Sequence, residues 1–224
     1  MSQKTLGLVH TSATLVPVFA ELCSKYLPGV KTFNIVDDSL IKNTIACGEL
    51  TPSTSKRVVN YAASAQEAGA DYILFTCSSI GPAVETAATL TGVPVLRVDQ
   101  AMADKAVSTG KKIGVIATLS TTLEPTSDLV KRRAIAANKE IELKSVLCEG
   151  AFDALMSGDA ATHDKKVGDA LKQLVNEVDV IVLAQASMAR VVDTLTDAEK
   201  KVPILASPPI AMEYLKTLLT DGTD

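Results

Sequence analysis

The chain has 224 residues, 47% of them apolar and 21% charged, a composition that excludes a disulfide-stapled miniprotein or a disordered tail and leaves room for one domain or two lobes of about 100 residues. Its formal charge is −4 and its basic pairs, Lys111-Lys112, Lys165-Lys166 and Lys200-Lys201, are dispersed, while Lys131-Arg132-Arg133 reads as a solvated helix face; no nucleic-acid partner is expected. No apolar run reaches the roughly 18 residues of a membrane span, and His10, Thr11, Ser12, Thr14 and Pro17 interrupt the stretch 6–22 that could pass for a signal peptide.

Short β-branched runs predict strands over 6–10, 32–36, 72–76 and 94–98, and again over 113–117, 141–147, 179–184 and 203–206. Between them lie stretches of helical period, among them 53–68 and 161–177, with further helices expected over 82–90 and 209–219. His163 is expected to be solvated in a polar connection, Asp37-Asp38-Ser39 to cap a helix, and the tail 221–224 to fray.

The two halves echo one another. Lys4-Thr5-Leu6-Gly7-Leu8-Val9-His10-Thr11 parallels Lys111-Lys112-Ile113-Gly114-Val115-Ile116-Ala117-Thr118, Asp71-Tyr72-Ile73-Leu74-Phe75-Thr76-Cys77-Ser78-Ser79 parallels Asp179-Val180-Ile181-Val182-Leu183-Ala184-Gln185-Ala186-Ser187, and Val93-Pro94-Val95-Leu96 parallels Val202-Pro203-Ile204-Leu205. The order is conserved between the halves and the offset drifts only from 107 to 109, which predicts an internal repeat. Strands such as Tyr72-Ile73-Leu74-Phe75 and Val180-Ile181-Val182-Leu183 lack polar alternation, so both their faces are expected to be covered, as in a parallel sheet between helices. The expected fold is α/β: two pseudo-symmetric lobes, each a four-stranded parallel sheet flanked by helices, with the active site in the interlobe cleft. The predicted division is 1–98 plus 209–224 for the N-terminal lobe and 99–208 for the C-terminal lobe. The crossing follows from Ala101-Met102-Ala103 after the fourth strand and Ile210-Ala211-Met212 after the eighth.

Polar residues gather where the strands end: His10, Thr11 and Ser12; Thr76, Cys77, Ser78 and Ser79; Thr118, Ser120 and Thr121; Gln185, Ala186 and Ser187. A cluster of hydroxyls and helix N-termini suits a carboxylate ligand. Cys77 is the candidate acid, base or nucleophile, because Ser78 and Ser79 read as N-caps of the helix that follows and a helix N-terminus favours a thiolate. His10 is a possible second acid or base. Cys23, Cys47 and Cys148 read as structural, and with no paired-cysteine or histidine spacing neither a metal site nor a disulfide framework is expected. That pattern fits a reducing cytoplasm. Nucleotide, serine-hydrolase and zinc-protease motifs are all missing from the sequence.

Together the paired halves and the motif Thr76-Cys77-Ser78-Ser79 resemble the aspartate/glutamate/hydantoin racemase superfamily over nearly the whole chain. The resemblance implies a cofactor-independent isomerase that transfers a proton at the carbon next to a carboxylate of a small substrate. Cys77 matches the first-lobe cysteine. Thr11, Ser12, Ser78, Ser79, Thr118, Ser120, Thr121, Gln185, Ala186 and Ser187 are then the substrate-binding candidates. Where the family carries a second cysteine, this chain has Gln185. Two alternatives stay open: a single-cysteine decarboxylase or lyase of the arylmalonate decarboxylase type, and a non-catalytic two-lobed protein that binds small carboxylates. Substrate choice is expected to rest on Leu119, Met188 and Ile80. A homo-oligomer is the expected assembly.

Overall fold

The computed structural model describes residues 3–220, so the frayed tail predicted for 221–224 lies outside the described residues. Eight strands form two sheets among these residues, and every pairing is parallel. The first sheet holds β1 (Thr5–His10), β2 (Lys31–Val36), β3 (Tyr72–Phe75) and β4 (Val95–Arg97) in the order β2-β1-β3-β4. The second holds β5 (Lys112–Ala117), β6 (Glu142–Leu147), β7 (Val180–Leu183) and β8 (Ile204–Ala206) in the order β6-β5-β7-β8. The helices are α1 (Leu15–Tyr26), α2 (Ser39–Cys47), α3 (Pro52–Glu67), α4 (Gly81–Ala88), α5 (Gln100–Thr109), α6 (Ser120–Ala136), α7 (Ala151–Met156), α8 (Ala160–Leu174), α9 (Ala189–Val192) and α10 (Ser207–Thr220). By contacts the chain falls into two compact units, one made of residues up to Val98 together with those from Pro208 onward, the other of Asp99–Ser207.

In the first unit the strands bury alternate residues into two cores. Leu6, Leu8 and Leu74 meet Phe19 and Cys23 of α1 and Ala211, Met212, Leu215 and Leu219 of α10. Val9, Ile73 and Phe75 meet Val58, Ala62 and Ala65 of α3 and Ala83, Val84 and Ala87 of α4. The strands lack polar alternation for that reason: each face has its own helical cover. The Tyr72 hydroxyl donates to the Leu218 carbonyl at 3.3 Å, a further tie between α10 and this sheet.

The second unit repeats the plan. Ile116, Ile181 and Leu183 pack with Val167, Leu171 and Leu174 of α8 and with Met188 and Val191. The buried residues Met102, Ala103, Ala106 and Val107 of α5 and Leu129, Val130 and Ala134 of α6 supply further cover, these two helices packing on one another and on the sheet.

Local signals explain the element boundaries. Thr51 accepts from Thr54 N at 3.2 Å and Pro52 opens α3, its missing N–H costing nothing in the first turn. At the head of α8, Asp159 accepts from Thr162 N at 3.0 Å. The repeat extends to the entry of the central strands: Asp71 accepts from Thr5 N at 2.8 Å, and Asp179 accepts from Lys111 N at 2.9 Å and Lys112 N at 2.8 Å. These backbone hydrogen bonds hold both carboxyls below their ordinary range.

Gly7 and Gly114 occupy matching places in β1 and β5, where the covering layer comes close. A Cβ on Gly114 would lie 2.8 Å from Leu174 Cδ2, and one on Gly7 would lie 3.1 Å from Phe33 Cζ. Leu174 is wholly enclosed while Phe33 is only partly buried, so Gly114→Ala is expected to cost about 1–3 kcal/mol by overpacking and Gly7→Ala less. Urea denaturation of the two variants checks the order.

Four sequence expectations require correction. His163 is not solvated but enclosed within α8, its Nδ1 2.7 Å from Asp164 Oδ1. The helix expected over 82–90 is α4, which starts at Gly81 and ends at Ala88, and a one-turn 3-10 helix, Ser78–Ile80, precedes it. Ile80 and Met188 are fully buried members of their cores, so neither is exposed to select a substrate. Asp38 precedes α2 without a side-chain cap; instead Asp37 accepts from Ser39 N at 3.1 Å.

Candidate active site

β3 is a central strand of the first sheet, and two residues beyond its end lies Cys77, partly buried against the core around Val9 and Phe75. Its backbone is extended, with φ −129° and ψ 123°, and it leads directly into the turn Ser78–Ile80. Ser78 and Ser79 are buried within that turn. Neither caps α4, whose N-terminal flank is Ile80, without a side-chain cap. The thiol therefore stands at the head of a 3-10 turn that runs directly into α4, with Ser78 and Ser79 inside the turn rather than flanking α4 as the sequence suggested. The other cysteines differ: Cys23 and Cys148 are buried, and burial pushes each thiol up to about 11, whereas Cys47 is exposed.

His10 closes β1 beside this turn and is fully enclosed. Its Nδ1 is 2.9 Å from Thr76 Oγ1 and its Nε2 2.9 Å from Asn34 Oδ1. A neutral imidazole that donates from Nε2 and accepts at Nδ1 satisfies both partners. Burial lowers its pKa below the ordinary 6.5, against a smaller upward pull from Asn34. With both nitrogens engaged, His10 holds the residue before Cys77 in place and has no ring nitrogen left for a ligand in this conformation. This bears on its candidacy as second acid or base.

The same histidine gives a pH-dependent stability. Its folded pKa is lowered, so the unfolded chain binds its proton more readily. The stabilisation is present above about pH 6.5 and is lost as pH falls through the folded value. The destabilisation caused by His10→Asn is expected to shrink between pH 7.5 and pH 5. Urea melts of both proteins across that range measure it, and a constant difference would contradict the assignment.

Thr11 is buried directly after β1, and Ser12 is partly exposed with its hydroxyl 2.8 Å from Thr14 Oγ1. A polar cluster that sequence reasoning missed lies past β2. Asp37, whose N–H donates to the His10 carbonyl at 3.0 Å, accepts from Tyr61 OH at 2.6 Å and pairs with Arg57 Nη2. Burial works to raise the Asp37 pKa, but the hydrogen bonds from Tyr61 and Ser39 and the Arg57 charge hold it below the ordinary range. The available signal was the spacing of Arg57 and Tyr61, four apart on one face of α3. Arg97, at the end of β4, is buried and pairs with Glu85 of α4 at 2.5 Å; nothing in its short strand marks it in advance.

In the second unit Gln185 occupies the place after β7 that Cys77 occupies after β3. Its backbone has φ −133° and ψ 138°, and it too leads into a one-turn 3-10 helix, Ala186–Met188. Gln185 Oε1 accepts from Thr118 N at 2.5 Å and from Thr118 Oγ1 at 2.9 Å. Ala186 and Ser187 are partly exposed in the turn. At the head of α6, Ser120 is exposed, while Thr121 is largely buried with its hydroxyl oxygen unpartnered among the described residues. Pro125 has no N–H for the Thr121 carbonyl one turn back, which loosens the first turn of this helix.

Among the described residues no group of three or more His, Cys, Asp or Glu is placed to hold a metal ion, and no helix is long and apolar enough to cross a membrane.

Solved structures with this architecture include a glutamate racemase isoform from Bacillus anthracis (TM-score 0.74, 18% identity, 100% of this chain and 84% of that chain covered). A glutamate racemase from Francisella tularensis subsp. tularensis, in complex with D-glutamate, aligns with a TM-score of 0.75 and 16% identity over 99% of this chain and 83% of that chain. The allantoin racemase from Klebsiella pneumoniae aligns at 0.71 and 15% identity over 98% of this chain and 89% of that one. At such identities the likeness establishes the fold. None of the curated proteins matches the sequence. The family profile of the Asp/Glu/Hydantoin racemases matches residues 6–215, nearly the full length of the repeat. With that match and its two all-parallel sheets, the chain belongs to the Asp/Glu/hydantoin racemase family.

Proposed function

We propose that this protein is a cofactor-independent isomerase that moves a proton at the carbon next to a carboxylate, with Cys77 as the acid and base. The observation that carries the reading is the partly exposed thiol at the end of a central parallel strand, in a hydroxyl-bearing turn, in a chain of the racemase family. The thiolate takes the proton from carbon, the electron pair passes into the carboxylate, and the thiol returns a proton to carbon. Ser78 and Ser79 stabilise the turn and the developing oxyanion. Thr118, Ser120 and Thr121 bind the carboxylate through hydroxyls and backbone N–H groups at the head of α6. Thr11, Ser12, Ala186 and Ser187 contribute to substrate binding. Four free cysteines suit a reducing cytoplasm, and the protein acts on small carboxylates, without nucleic acid, as a homo-oligomer.

Gln185 in place of a second thiol favours a second reading, in which Cys77 protonates the enediolate left by loss of carbon dioxide from a malonate. Proton NMR in D2O with amino acids, hydantoins and substituted malonates separates the two. Exchange at the α-carbon that depends on Cys77 supports the isomerase, and deuterium entering only together with carbon dioxide loss supports the decarboxylase. Binding without either leaves a carboxylate-binding protein.

A further inference from the structure

We propose that His163 is a specificity-determining residue of the second unit: its Nε2 accepts a hydrogen bond from an N–H or O–H group of a small carboxylate held at the carboxyl ends of β5 and β7. The inference rests on the small-carboxylate reading and names the substituent that the ligand carries. It uses neither Cys77 nor any other residue of the first unit.

α8 lies along the second sheet with its head at the carboxyl ends of the strands. At its far end a Cβ on Gly114, near the start of β5, would lie 2.8 Å from Leu174 Cδ2. The chain leaving α8 brings Asp179 to the N–H groups of Lys111 and Lys112 at the opposite edge of the sheet. His163, Val167, Leu171 and Leu174 form one buried stripe of this helix. From Leu174 back to His163 the helix rises about 16 Å, and β5 rises about 13 Å from Gly114 to Thr118. Side chains alternate along a strand, so the face that carries Gly114 and Ile116 also carries Thr118, and the face with Ile181 and Leu183 carries Gln185, whose backbone is still extended. His163 therefore heads the stripe beside Thr118 and Gln185, which are joined through Gln185 Oε1.

Asp164 orients the ring. Burial works to raise the Asp164 pKa, but the hydrogen bonds from His163 and Arg190 and the Arg190 charge hold it below the ordinary range, so this carboxylate accepts from His163 Nδ1, 2.7 Å away. Arg190 donates to the same oxygen from Nε at 3.1 Å and from Nη2 at 2.8 Å. Because α9 follows the turn Ala186–Met188, this pair ties Asp164 to the segment that begins after Gln185. With its Nδ1–H committed to Asp164, a neutral ring presents Nε2 as an acceptor. That nitrogen is buried and has no partner among the described residues.

The repeat supplies a comparison within the fold. The buried stripe of α3, Thr54, Val58, Ala62 and Ala65, is spaced like that of α8, each member 109 positions earlier. Thr54 is satisfied locally, its Oγ1 accepting from Thr51 Oγ1 at 3.1 Å. At the matching place the second unit sets a histidine, an orienting carboxylate and a guanidinium, yet leaves the ring nitrogen unpartnered. An aliphatic residue would continue the stripe of Val167 and Leu171 without the cost of an unsatisfied buried nitrogen. The nitrogen thus answers a donor that comes from a ligand, and the partly exposed Gln185 and Ser187 mark where the strand ends are open. An N–H or O–H fits an acceptor, and a carboxylate oxygen does not. Amino, ureido and hydroxy acids carry such a donor beside their carboxylate, which sets them apart from malonates without one.

Calorimetric titration compares matched acids, malate and aspartate against succinate and glutamate against glutarate, on wild type, His163→Leu and His163→Gln. Wild type is expected to bind each donor-bearing acid about tenfold more tightly than its donor-free match, the scale of one buried hydrogen bond. His163→Leu is expected to bring the ratio to within about twofold, while urea denaturation shows a fold at least as stable as wild type because the unpartnered nitrogen is gone. His163→Gln keeps an acceptor oxygen and is expected to retain part of the preference. The chain has only two histidines, so nitrogen NMR of the wild-type imidazoles reads the contact without any substitution. The Nε2 signal of His163 is expected to move with malate and not with succinate, and the His10 signals to stay. A wild-type ratio within about twofold overturns the inference and leaves the small-carboxylate reading standing. A preference that survives His163→Leu, or an Nε2 signal that malate does not move, overturns the role of His163 and leaves its nitrogen to an enclosed water. If none of these acids binds, the small-carboxylate reading falls and this inference with it.

Discussion

Replacement of Cys77 by alanine is expected to lower α-proton exchange by about 10²–10⁴-fold or more, the contribution of a positioned acid–base group, while the protein stays folded. The side chain is partly exposed and packs against the core around Val9 and Phe75, so the substitution is expected to cost about 1 kcal/mol of stability. The two effects fall on different links: kinetics reads the chemistry and urea denaturation reads the packing. The thiol can also be followed without a substrate. Cys23 and Cys148 are buried, with pKa values pushed up to about 11, so at neutral pH alkylation is expected at Cys47 and Cys77. In a Cys47→Ala background one fast site should remain. Full exchange activity in Cys77→Ala would sink the assignment.

The largest stability effect is expected at Gly81, the first residue of α4. A methyl group there would fall inside the Arg97 guanidinium, which is buried and paired with Glu85 at 2.5 Å. Arg97 has a flexible stem, but its side chain is only 2% exposed, so the charge must be driven out of a closed site. Disrupting a buried pair costs about 3–5 kcal/mol when a charge is left uncompensated; because Glu85 is 36% exposed, the lower end, about 3 kcal/mol, is the expected loss. In the double variant Gly81→Ala/Arg97→Met the obstructing charge is gone, and the two costs should not add. Urea denaturation of the two single variants and the double gives the coupling directly. A single variant within about 0.5 kcal/mol of wild type would mean that the guanidinium leaves without cost.

This contact also matters to the site. Gly81 follows the turn Ser78–Ile80 directly, so the Arg97–Glu85 pair braces the helix onto which the Cys77 turn is spliced. On the other side His10 fixes Thr76, and Asn34 fixes His10. The thiol segment is thus held between two polar arrangements of the sheet, the buried His10 with Asn34 of β2 on one side and the buried Arg97 of β4 with Glu85 on the other. Preorganisation of this kind holds a reacting group in position without reorganisation at the moment of reaction.

Strand content, the repeat and the family were readable in the chain. Apolar runs without polar alternation mark strands buried on both faces, and all eight predicted strands form, with no bound shifted by more than a single residue. Gly7 and Gly114 fall at matching places because each strand needs a small residue under its covering layer. Asp71 and Asp179 recur because each captures the entry of the neighbouring central strand. These are local or periodic properties, and periodicity is carried by the sequence itself.

The roles of the single polar residues are set by packing between segments that lie far apart in the chain. His10 and His163 look alike as histidines amid polar neighbours, yet both are enclosed. Their fate depends on Asn34 and Thr76 in one case and Asp164 in the other, and the first pair comes from distant segments. Ser78 and Ser79 have the chemistry of N-caps, but a 3-10 turn intervenes because the chain turns more tightly after Cys77 than helix propensity implies. The alternation of strands and helices, the duplication and the thiol are legible in the residues alone. The tertiary structure decided which hydroxyls, amides and imidazoles are already satisfied and which are free, because hydrogen-bond partners far apart in the chain are set by packing and not by spacing.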